Sequence, residues 1–328
     1  MNETATAAPA VSPPAEPTTT QLWLLSLRAP FLIASVIPAT LGIVLAYQQA
    51  GVFDGLLAAL TLVGIACIHL ANNMMNDNFD FRSGADQAVE HKNPFAGGSR
   101  VLLSGKLSLR AHLAVASTFL AAGTAIGLLL VFLIGGLGTP AGQLLLLIGA
   151  VGFGTAVFYV GPPLRLAHLG VGEVAVGLSF GPLIVLGSYV VQAGVVTLGA
   201  VWLSLAMGLL ITAILWINEF PDAPSDIKAG KRTGMARLGL ERSVRVFEGL
   251  IAAAFVCPVA AWLLGSAPYT VMAALVTAPI AMKVARTARA HYNDPMALIP
   301  ANGGTILLTA LFGVLLIAGL AVAIVVPL

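Results

Sequence analysis

The stretch NNMMNDNFDFRSGAD, residues 72–86, follows directly on the apolar run LLAALTLVGIACIHLA, residues 56–71. It gathers asparagines and aspartates at the end of an apolar segment, in a chain of which only 9% is Asp, Glu, Lys or Arg. A helix of about 20 apolar residues is long enough to cross a lipid bilayer. The sequence therefore predicts a membrane-spanning helix that carries a polar cluster at one end.

Comparable apolar runs recur along the chain, which has 328 residues and is 58% hydrophobic. A water-soluble domain of this length cannot bury so much apolar surface, so the composition predicts an integral membrane protein. Helices satisfy their own backbone hydrogen bonds in lipid, and the predicted fold class is therefore all-α, a polytopic membrane protein. The predicted transmembrane helices are nine, in one domain over residues 21–328: 22–49, 53–76, 109–135, 141–160, 170–193, 197–219, 243–264, 268–288 and 304–327.

The first 20 residues, MNETATAAPAVSPPAEPTTT, are rich in Pro, Ala and Thr and contain no Lys or Arg. A secretory signal peptide needs a positive start and a short apolar run, so this segment is predicted to be a disordered tail instead. Without a targeting signal, the expected location is a plasma (inner) membrane.

The basic residues predict the orientation in that membrane. All 16 Lys and Arg of the chain fall in the N-terminal flank or near the loops after predicted spans two, four, six and eight. By the positive-inside rule, these loops and the N-terminus are expected to be cytoplasmic. With nine spans, the C-terminus is then expected on the opposite side.

A second polar stretch, NEFPDAPSDIKAGKRTGMARLG, residues 218–239, follows predicted span six on the same side of the membrane. The polar residues are spaced i, i+4, i+7 in the first stretch and i, i+4, i+8 in the second, which places each set along one face of a helix. The sets are Asn73, Asp77 and Asp80, and Asn218, Asp222 and Asp226. We interpret them as two halves of one duplicated site.

Carboxylates that are gathered at one place repel each other unless cations hold them together. Mg²⁺ typically takes one or two carboxylates and completes its shell with phosphate oxygens of a substrate. Lys and Arg on the same loops can bind the remaining phosphate oxygens. The residues thus predict a Mg²⁺–diphosphate site at the cytoplasmic edge. Acidic loop residues commonly do no more than keep a loop hydrated, but two spaced clusters, each at the end of an apolar span, favour a functional site.

The two stretches resemble the Asp-rich motifs of the UbiA superfamily of intramembrane aromatic prenyltransferases. The nearest resemblance is to its menaquinone branch, the 1,4-dihydroxy-2-naphthoate prenyltransferases. Two patterns carry it: Asn76, Asp77, Asp80, Gly84 and Asp86 in the first stretch, and Asn218, Asp222, Asp226, Gly230, Lys231 and Thr233 in the second. Glu219 and Pro221 depart from the pattern, because many relatives carry a basic residue just before this Asp.

The resemblance implies a UbiA-type bundle of nine helices around a central cavity that opens to lipid. It implies Mg²⁺-dependent transfer of a polyprenyl group from an allylic diphosphate to an aromatic acceptor. With dihydroxynaphthoate as the acceptor, the products are demethylmenaquinone, CO₂ and diphosphate. Two Mg²⁺ ions would be held by Asp77, Asp80, Asp222 and Asp226, which are also the expected catalytic residues, helped by Asn73, Asn76 and Asn218.

Further residues have expected roles around this site. The departing diphosphate is expected to contact four basic side chains, Lys92, Arg100, Lys231 and Arg232. A pocket for the acceptor and the prenyl chain is expected to include Tyr159, Glu173, Tyr189 and Trp216. For the aromatic residues plain packing is the alternative, and Glu173 can equally be a partner of Arg165. The expected partners are the two substrates and membrane lipid, and no nucleic acid.

Other functions remain open at this point. Within the superfamily, the acceptor can be 4-hydroxybenzoate, homogentisate, chlorophyllide or a glycerol lipid, and terpene cyclases also belong there. Outside it, a cation-coupled transporter is the main alternative. Transporters usually hold their charges near the middle of the membrane, whereas nearly every acid here falls at a cytoplasmic helix end.

Overall fold

The protein is described here by a computed structural model that covers residues 17–84, 95, 98–228 and 232–326. The ordered elements of these ranges are helical. They are α1 Thr19–Leu27, α2 Ile33–Ala50, α3 Gly55–Ser83, α4 Leu109–Leu133, α5 Pro140–Phe158, α6 Leu166–Leu169, α7 Gly172–Leu178, α8 Ile184–Ala193, α9 Leu198–Lys228, α10 Gly234–Leu238, α11 Leu240–Leu263, α12 Ala278–His291 and α13 Ile299–Val325. Among the described residues, nine helical segments are long and apolar enough to cross a membrane, as predicted.

The N-terminal tail ends earlier than predicted. Thr18 caps α1, accepting a hydrogen bond from the Gln21 N–H at 3.3 Å, while the Gln21 side chain accepts one from the Thr18 N–H at 2.8 Å. This reciprocal pair satisfies two backbone donors that a helix start leaves open. Thr18, Thr19 and Thr20, which the sequence predicts to be in the disordered tail, therefore form the cap and the start of the first helical segment.

Three of the predicted spans are not continuous α-helices. In the first, Arg28 adopts a left-handed conformation (φ 49°) and a 3₁₀ turn, Ala29–Leu32, separates α1 from α2. In the fifth, a π-helical turn that contains Pro182 separates α7 from α8. Proline lacks the backbone N–H that an α-helix needs, so each of these breaks lies at or beside a proline. In the eighth, a 3₁₀ segment, Tyr269–Thr277, leads into α12.

The main core surrounds α9. Buried side chains of α2, α8, α11 and α13 pack against it, among them Leu41, Tyr189, Phe247 and Phe312. The side formed by α4 and α5 is different, because few of their residues are buried. The bundle thus has one tightly packed side and one looser side, and the site described below lies between them.

Glycines bring α9 against the broken fifth span. A Cβ added to Gly181 would lie 2.4 Å from the Gly208 Cα, and one added to Gly208 would lie 2.6 Å from the Gly177 carbonyl oxygen. Real Cβ atoms do not come so close, so this helix crossing depends on the absence of side chains. It fixes the position of α7 relative to the polar end of α9.

Candidate active site

The first polar cluster lies on the last turns of α3, which continues to Ser83. Its end is defined by Gly84, which caps the helix in the left-handed conformation (φ 79°). The predicted continuation of this helix beyond the apolar run is therefore present. Asn73, Asp77 and Asp80 follow each other along one face of it, as their spacing requires.

Asp77 is the most constrained member of the cluster. Its side chain is 1% exposed, and its Oδ1 accepts a hydrogen bond from the Ser99 N–H at 3.1 Å. Its Oδ2 accepts a second bond from the Ser99 hydroxyl. Arg28 Nη1 lies 4.0 Å from Oδ1. Asp77 is thus held by residues from two other segments, and the sequence analysis found neither of them.

The asparagines of this cluster are oriented by their amide nitrogens. Asn73 Nδ2 donates to the Leu27 carbonyl at 3.2 Å, at the break between α1 and α2. Asn76 Nδ2 donates to Asp80 Oδ2 at 3.0 Å. Because the nitrogens are engaged, the amide oxygens are the atoms that each asparagine can offer to a cation.

The second cluster lies on the last third of α9, a helix of 31 residues. Pro221 lies inside this helix and cannot donate to the carbonyl of Ile217, four residues before it. Asn302, which is fully buried on α13, donates to that carbonyl at 3.1 Å and to Asn218 Oδ1 at 2.8 Å. Asn302 therefore supplies the donor that Pro221 lacks, and it also orients Asn218.

The two clusters approach each other at Tyr159, which follows the end of α5. The pKa of the Tyr159 phenol is raised, first by burial and then by the negative charges of four carboxylates, Glu219, Glu173, Asp80 and Asp226. Asp80 comes from the first cluster and Asp226 from the second. Both therefore lie close enough to act on the same phenol, together with Glu219, to which the sequence analysis gave no role.

The structure describes two of the four basic residues that are expected to contact the diphosphate, Arg100 and Arg232. Lys92 and Lys231 lie outside the described residues, as does Asp86. Arg100 follows Ser99 directly, in a left-handed conformation (φ 53°), and is half-buried. Arg232 is exposed, and its backbone N–H donates to the His168 carbonyl at 3.1 Å. Arg100 thus lies beside the first cluster, and the loop of Arg232 is attached to α6.

Glu173 has a partner that was not expected. Its buried carboxylate accepts a hydrogen bond from the Gly234 N–H at 2.6 Å, at the start of α10. A Cβ on Gly234 would meet the Trp216 ring at 2.8 Å and Glu173 Oε1 at 3.0 Å. Glu173 therefore links α7 to the loop that follows the second cluster, and it is not paired with Arg165 as the alternative suggested.

A cavity of about 440 Å³ extends from this region into the membrane-spanning part. It lies between α3, α4, α5 and the broken span α7–α8, and Tyr159 belongs to its lining. Tyr189 and Trp216, which were expected there, have other positions. The Tyr189 hydroxyl donates to Gln49 Oε1 at 2.9 Å, and Trp216 Nε1 donates to the Ser243 carbonyl at 2.9 Å. Within the described residues, these two and Glu173 are not part of the lining.

The donor set fits Mg²⁺ only together with a substrate. Within the described ranges, no three His, Cys, Asp or Glu side chains are grouped closely enough to hold a metal ion by themselves. Mg²⁺ usually binds through one or two carboxylates and completes its shell with water and substrate phosphates. Two separate sets of Asp and Asn oxygens, one at the end of α3 and one on the last third of α9, have this character.

Sequence reasoning could have found that the Ile217 carbonyl needs another donor, because Pro221 follows four residues later inside a helix, but not that Asn302 supplies it. It had no comparable signal for Ser99 or Arg28, which reach Asp77 only through the tertiary fold.

Comparison with known proteins adds two findings. The UbiA prenyltransferase family matches residues 35–302. The chain is also similar to curated proteins of bacteria. It is 29% identical to the 1,4-dihydroxy-2-naphthoate octaprenyltransferase of Bacillus subtilis, over 98% of this chain and 99% of that one. It is 31% identical to the protein of that name from Mycobacterium tuberculosis, over 81% and 86%. It is 26% identical to the 2-carboxy-1,4-naphthoquinone phytyltransferase of Synechocystis, over 87% and 88%.

Solved structures share the fold. A UbiA homolog from Aeropyrum pernix superposes with a TM-score of 0.60 at 20% identity, covering 85% of this chain and 97% of that one. A UbiA homolog from Archaeoglobus fulgidus, bound to GPP and Mg²⁺, superposes with a TM-score of 0.57 at 15% identity, covering 90% and 99%.

Proposed function

Because this chain belongs to the UbiA prenyltransferase family, we propose that it transfers a polyprenyl group from an allylic diphosphate to 1,4-dihydroxy-2-naphthoate. The products would be demethylmenaquinol, the reduced form of demethylmenaquinone, together with CO₂ and diphosphate. The observation that carries the proposal is the position of the two Asp- and Asn-bearing clusters at the polar ends of α3 and α9, together with a largely apolar cavity of about 440 Å³ that Asn72 and Tyr159 line. The acceptor is proposed from the names of the relatives in Bacillus subtilis and Mycobacterium tuberculosis.

The residues proposed to hold two Mg²⁺ ions with the diphosphate are those of the two clusters: Asn73, Asn76, Asp77, Asp80, Asn218, Asp222 and Asp226. When bound, Mg²⁺ acts as a Lewis acid that neutralises the charge of the departing diphosphate. Ser99 and Asn302 hold Asp77 and Asn218 in place by the hydrogen bonds described above. Pre-orientation of this kind lowers the cost of ordering the site when substrate arrives.

The basic residues are proposed to stabilise the diphosphate as it leaves. Arg100 and Arg232 flank the first and second clusters, and Lys92 and Lys231 are close to them in sequence. Fixed cations near the leaving oxygens favour the transition state over the bound substrate. The apolar tail of the donor would extend into the cavity, where the Tyr159 ring can stabilise an allylic cation by about 0.5–2 kcal/mol.

The location follows from the same arrangement. We propose that this end of the bundle lies on the cytoplasmic side of a bacterial-type plasma membrane, because the Arg side chains at both clusters fit the positive-inside rule. The N-terminus would lie on that side and the C-terminus on the other. A water-soluble diphosphate head would thus be bound at the cytoplasmic edge and its tail within the bilayer.

The testing experiment is a product assay by mass spectrometry on detergent-purified protein with a polyprenyl diphosphate, Mg²⁺ and several aromatic acceptors. The variants are Asp77→Asn and Asp222→Asn. The matched control is Asp54→Asn, at the opposite end of α3, where an amide oxygen can still cap the helix. We expect prenylated naphthoquinol from the wild type and the control, and none from the two cluster variants or after EDTA.

Each other outcome has a defined meaning. Diphosphate release without this product would support the metal site but indicate a different reaction. The acceptor would then be another compound used in the family, such as 4-hydroxybenzoate, homogentisate, chlorophyllide or a glycerol lipid, or the donor would cyclise. If no donor is ionised, the proposed reaction is wrong, and cation-dependent flux in proteoliposomes becomes the next measurement.

A further inference from the structure

The cavity has a polar position on an otherwise largely apolar wall, one helical turn from the first cluster. His69 of α3 belongs to its lining and is 7% exposed. Asn72, on the next turn of the same helix, also belongs to the lining. A prenyl chain gains nothing from an imidazole or an amide, so these groups call for a second ligand that has polar atoms.

The imidazole is held by one of its two nitrogens. His69 Nδ1 lies 2.8 Å from Ser35 Oγ on α2, and Ser35 Oγ also donates to the Leu32 carbonyl at 3.0 Å. The serine hydroxyl has a single hydrogen, which can go either to the Leu32 carbonyl or to Nδ1. We assign it to Leu32; in that arrangement Ser35 Oγ accepts the hydrogen of Nδ1, and Nε2 is left as a proton acceptor for a ligand in the cavity.

His69 lies at the depth in the cavity that is expected for the acceptor ring. His69 and Asn73 are four residues apart on one helix face, so they are separated by about 6 Å along the axis. A diphosphate bound at the two clusters would direct its first carbon toward the cavity, and the ring that attacks this carbon would then lie deeper. The edge of Phe180, whose ring centroid is 5.0 Å from that of His69, limits the movement of the imidazole.

From this geometry we propose that His69 is the general base for the aromatic acceptor, removing a hydroxyl proton through Nε2. The proposal rests on the proposed function, of which it specifies the proton transfer. It assigns a role to a residue that belongs to neither Asp-rich cluster. Asn72 would contact another oxygen of the same ring, because residues three apart present neighbouring side chains.

The step balances for 1,4-dihydroxy-2-naphthoate. The proton of the 1-hydroxyl moves to Nε2, and the electron pair of that oxygen flows into the ring. Ring carbon 2 forms a bond to the first carbon of the prenyl group, whose bond to the diphosphate oxygen breaks. The resulting β-keto carboxylate loses CO₂, and the enolate that remains takes the proton back from His69. No oxidant or reductant is needed.

The test compares His69→Gln, in which an amide can still donate to Ser35, with His69→Ala. Three quantities are measured: diphosphate release without acceptor, prenylation of the acceptor, and the unfolding temperature. For His69→Gln we expect kcat of prenylation to fall about 100-fold or more, the usual contribution of a general base. Diphosphate release and unfolding temperature are expected to stay as in the wild type. Added imidazole is expected to raise the prenylation rate of His69→Ala at least tenfold.

Unchanged prenylation in His69→Gln would overturn the proposal. Parallel loss of prenylation, diphosphate release and thermal stability, without rescue by imidazole, would also overturn it and leave His69 as a structural link between α2 and α3. A failure of the proposed function is distinguishable: the wild type would then prenylate a different hydroxylated aromatic compound, and the same comparison applies to that acceptor. Prenylation of no acceptor by the wild type would overturn both.

Discussion

At the scale of single residues, the two clusters differ in how their side chains are held. Asp77 is enclosed and receives two hydrogen bonds from Ser99, whereas Asp80 is paired with an amide on its own helix. A carboxylate that is fixed in advance loses less freedom when it binds a cation. We therefore expect Ser99 to contribute to Mg²⁺ binding at the proposed site, although it would not itself touch the metal.

Replacing Ser99 by Ala removes the hydroxyl bond to Asp77 and keeps the backbone bond. A hydrogen bond to a charged group contributes about 1.5–3 kcal/mol. We expect the Mg²⁺ concentration for half-maximal activity to rise about tenfold, since about 1.4 kcal/mol corresponds to a factor of ten. A Mg²⁺ titration of the rate measures this. Ser104→Ala is the control, because that hydroxyl bonds to the Val101 carbonyl in the same segment, and an equal shift there would contradict the argument.

Asn302 is a second residue whose effect can be isolated. In Asn302→Leu, the Ile217 carbonyl and Asn218 lose their shared donor, and each buried group left unsatisfied costs about 1–3 kcal/mol. We expect a lower free energy of unfolding by at least about 1 kcal/mol and at least a tenfold lower kcat. Denaturation and product assays measure the two effects. The control is Thr309→Val on the same helix, whose buried hydroxyl donates to the Thr305 carbonyl one turn earlier. An equally large loss of activity in this variant would contradict a specific role of Asn302.

The spacing of the Asn and Asp residues was enough to predict which of them share a helix face. It was not enough to identify what holds them. Ser99 lies 22 residues after Asp77, and Asn302 lies 84 residues after Asn218. Such partners depend on how helices cross, which no local pattern encodes. Tyr189 and Trp216 were placed in the pocket because they are aromatic, but a hydroxyl and an indole also need hydrogen-bond partners when buried, and here those partners lie elsewhere.

At the scale of elements, the crossing of α9 with the broken fifth span requires glycine at the contact. Because a Cβ on Gly181 would lie 2.4 Å from the Gly208 Cα, Gly181→Ala forces the two helices apart. We expect a loss of at least about 1–3 kcal/mol, as for overpacking, and a lower unfolding temperature in detergent.

The control for this substitution is Gly249→Ala on α11, where no atom lies within 4 Å of the added Cβ. Alanine is favoured over glycine inside a helix by about 1 kcal/mol, so this variant is expected to be as stable as the wild type or more so. A Gly181→Ala protein that melts like Gly249→Ala would show that the crossing is looser than described.

The nine spans were predictable because their apolar length is a property of composition. The breaks within them were not, although Pro30 and Pro182 mark two of them in the sequence. A proline can be accommodated by a kink, a 3₁₀ turn or a π-helical turn, and the neighbouring helices decide which one forms. For the first span, the break brings two groups to the candidate site: it places Arg28 near Asp77 and the Leu27 carbonyl near Asn73.

At the scale of the whole molecule, the uneven packing of the bundle provides the room for a long substrate. Gly149 of α5 lines the cavity and has no atom within 4 Å of an added Cβ. In Gly149→Phe, a ring would occupy part of the space proposed for the prenyl tail. We expect KM to rise at least tenfold for a long donor and little for a short one, measured with donors of graded length. Gly154→Phe is the control on the same helix, equally open but not part of the lining; equal effects of both variants would place the tail elsewhere.

The separation of the two clusters on α3 and α9 makes a prediction about ligand binding as a whole. Since the described residues contain no group of three acids, histidines or cysteines able to hold a metal, Mg²⁺ alone is expected to stabilise the fold little. A diphosphate alone would add negative charge beside Asp80, Asp226 and Glu219, the carboxylates that act on Tyr159. Together, the two ligands neutralise each other and join both helices.

We therefore expect Mg²⁺ with a non-hydrolysable prenyl thiodiphosphate to raise the unfolding temperature, and either ligand alone to have a small effect. At 100 times the dissociation constant, the stabilisation is about 2.7 kcal/mol. Thermal unfolding in detergent with each ligand, with both, and with both in Asp222→Asn separates these cases. If Mg²⁺ alone stabilised the protein as much as the pair, the metal site would be preformed on the protein. The cation would then not depend on the substrate that the two helices are proposed to share.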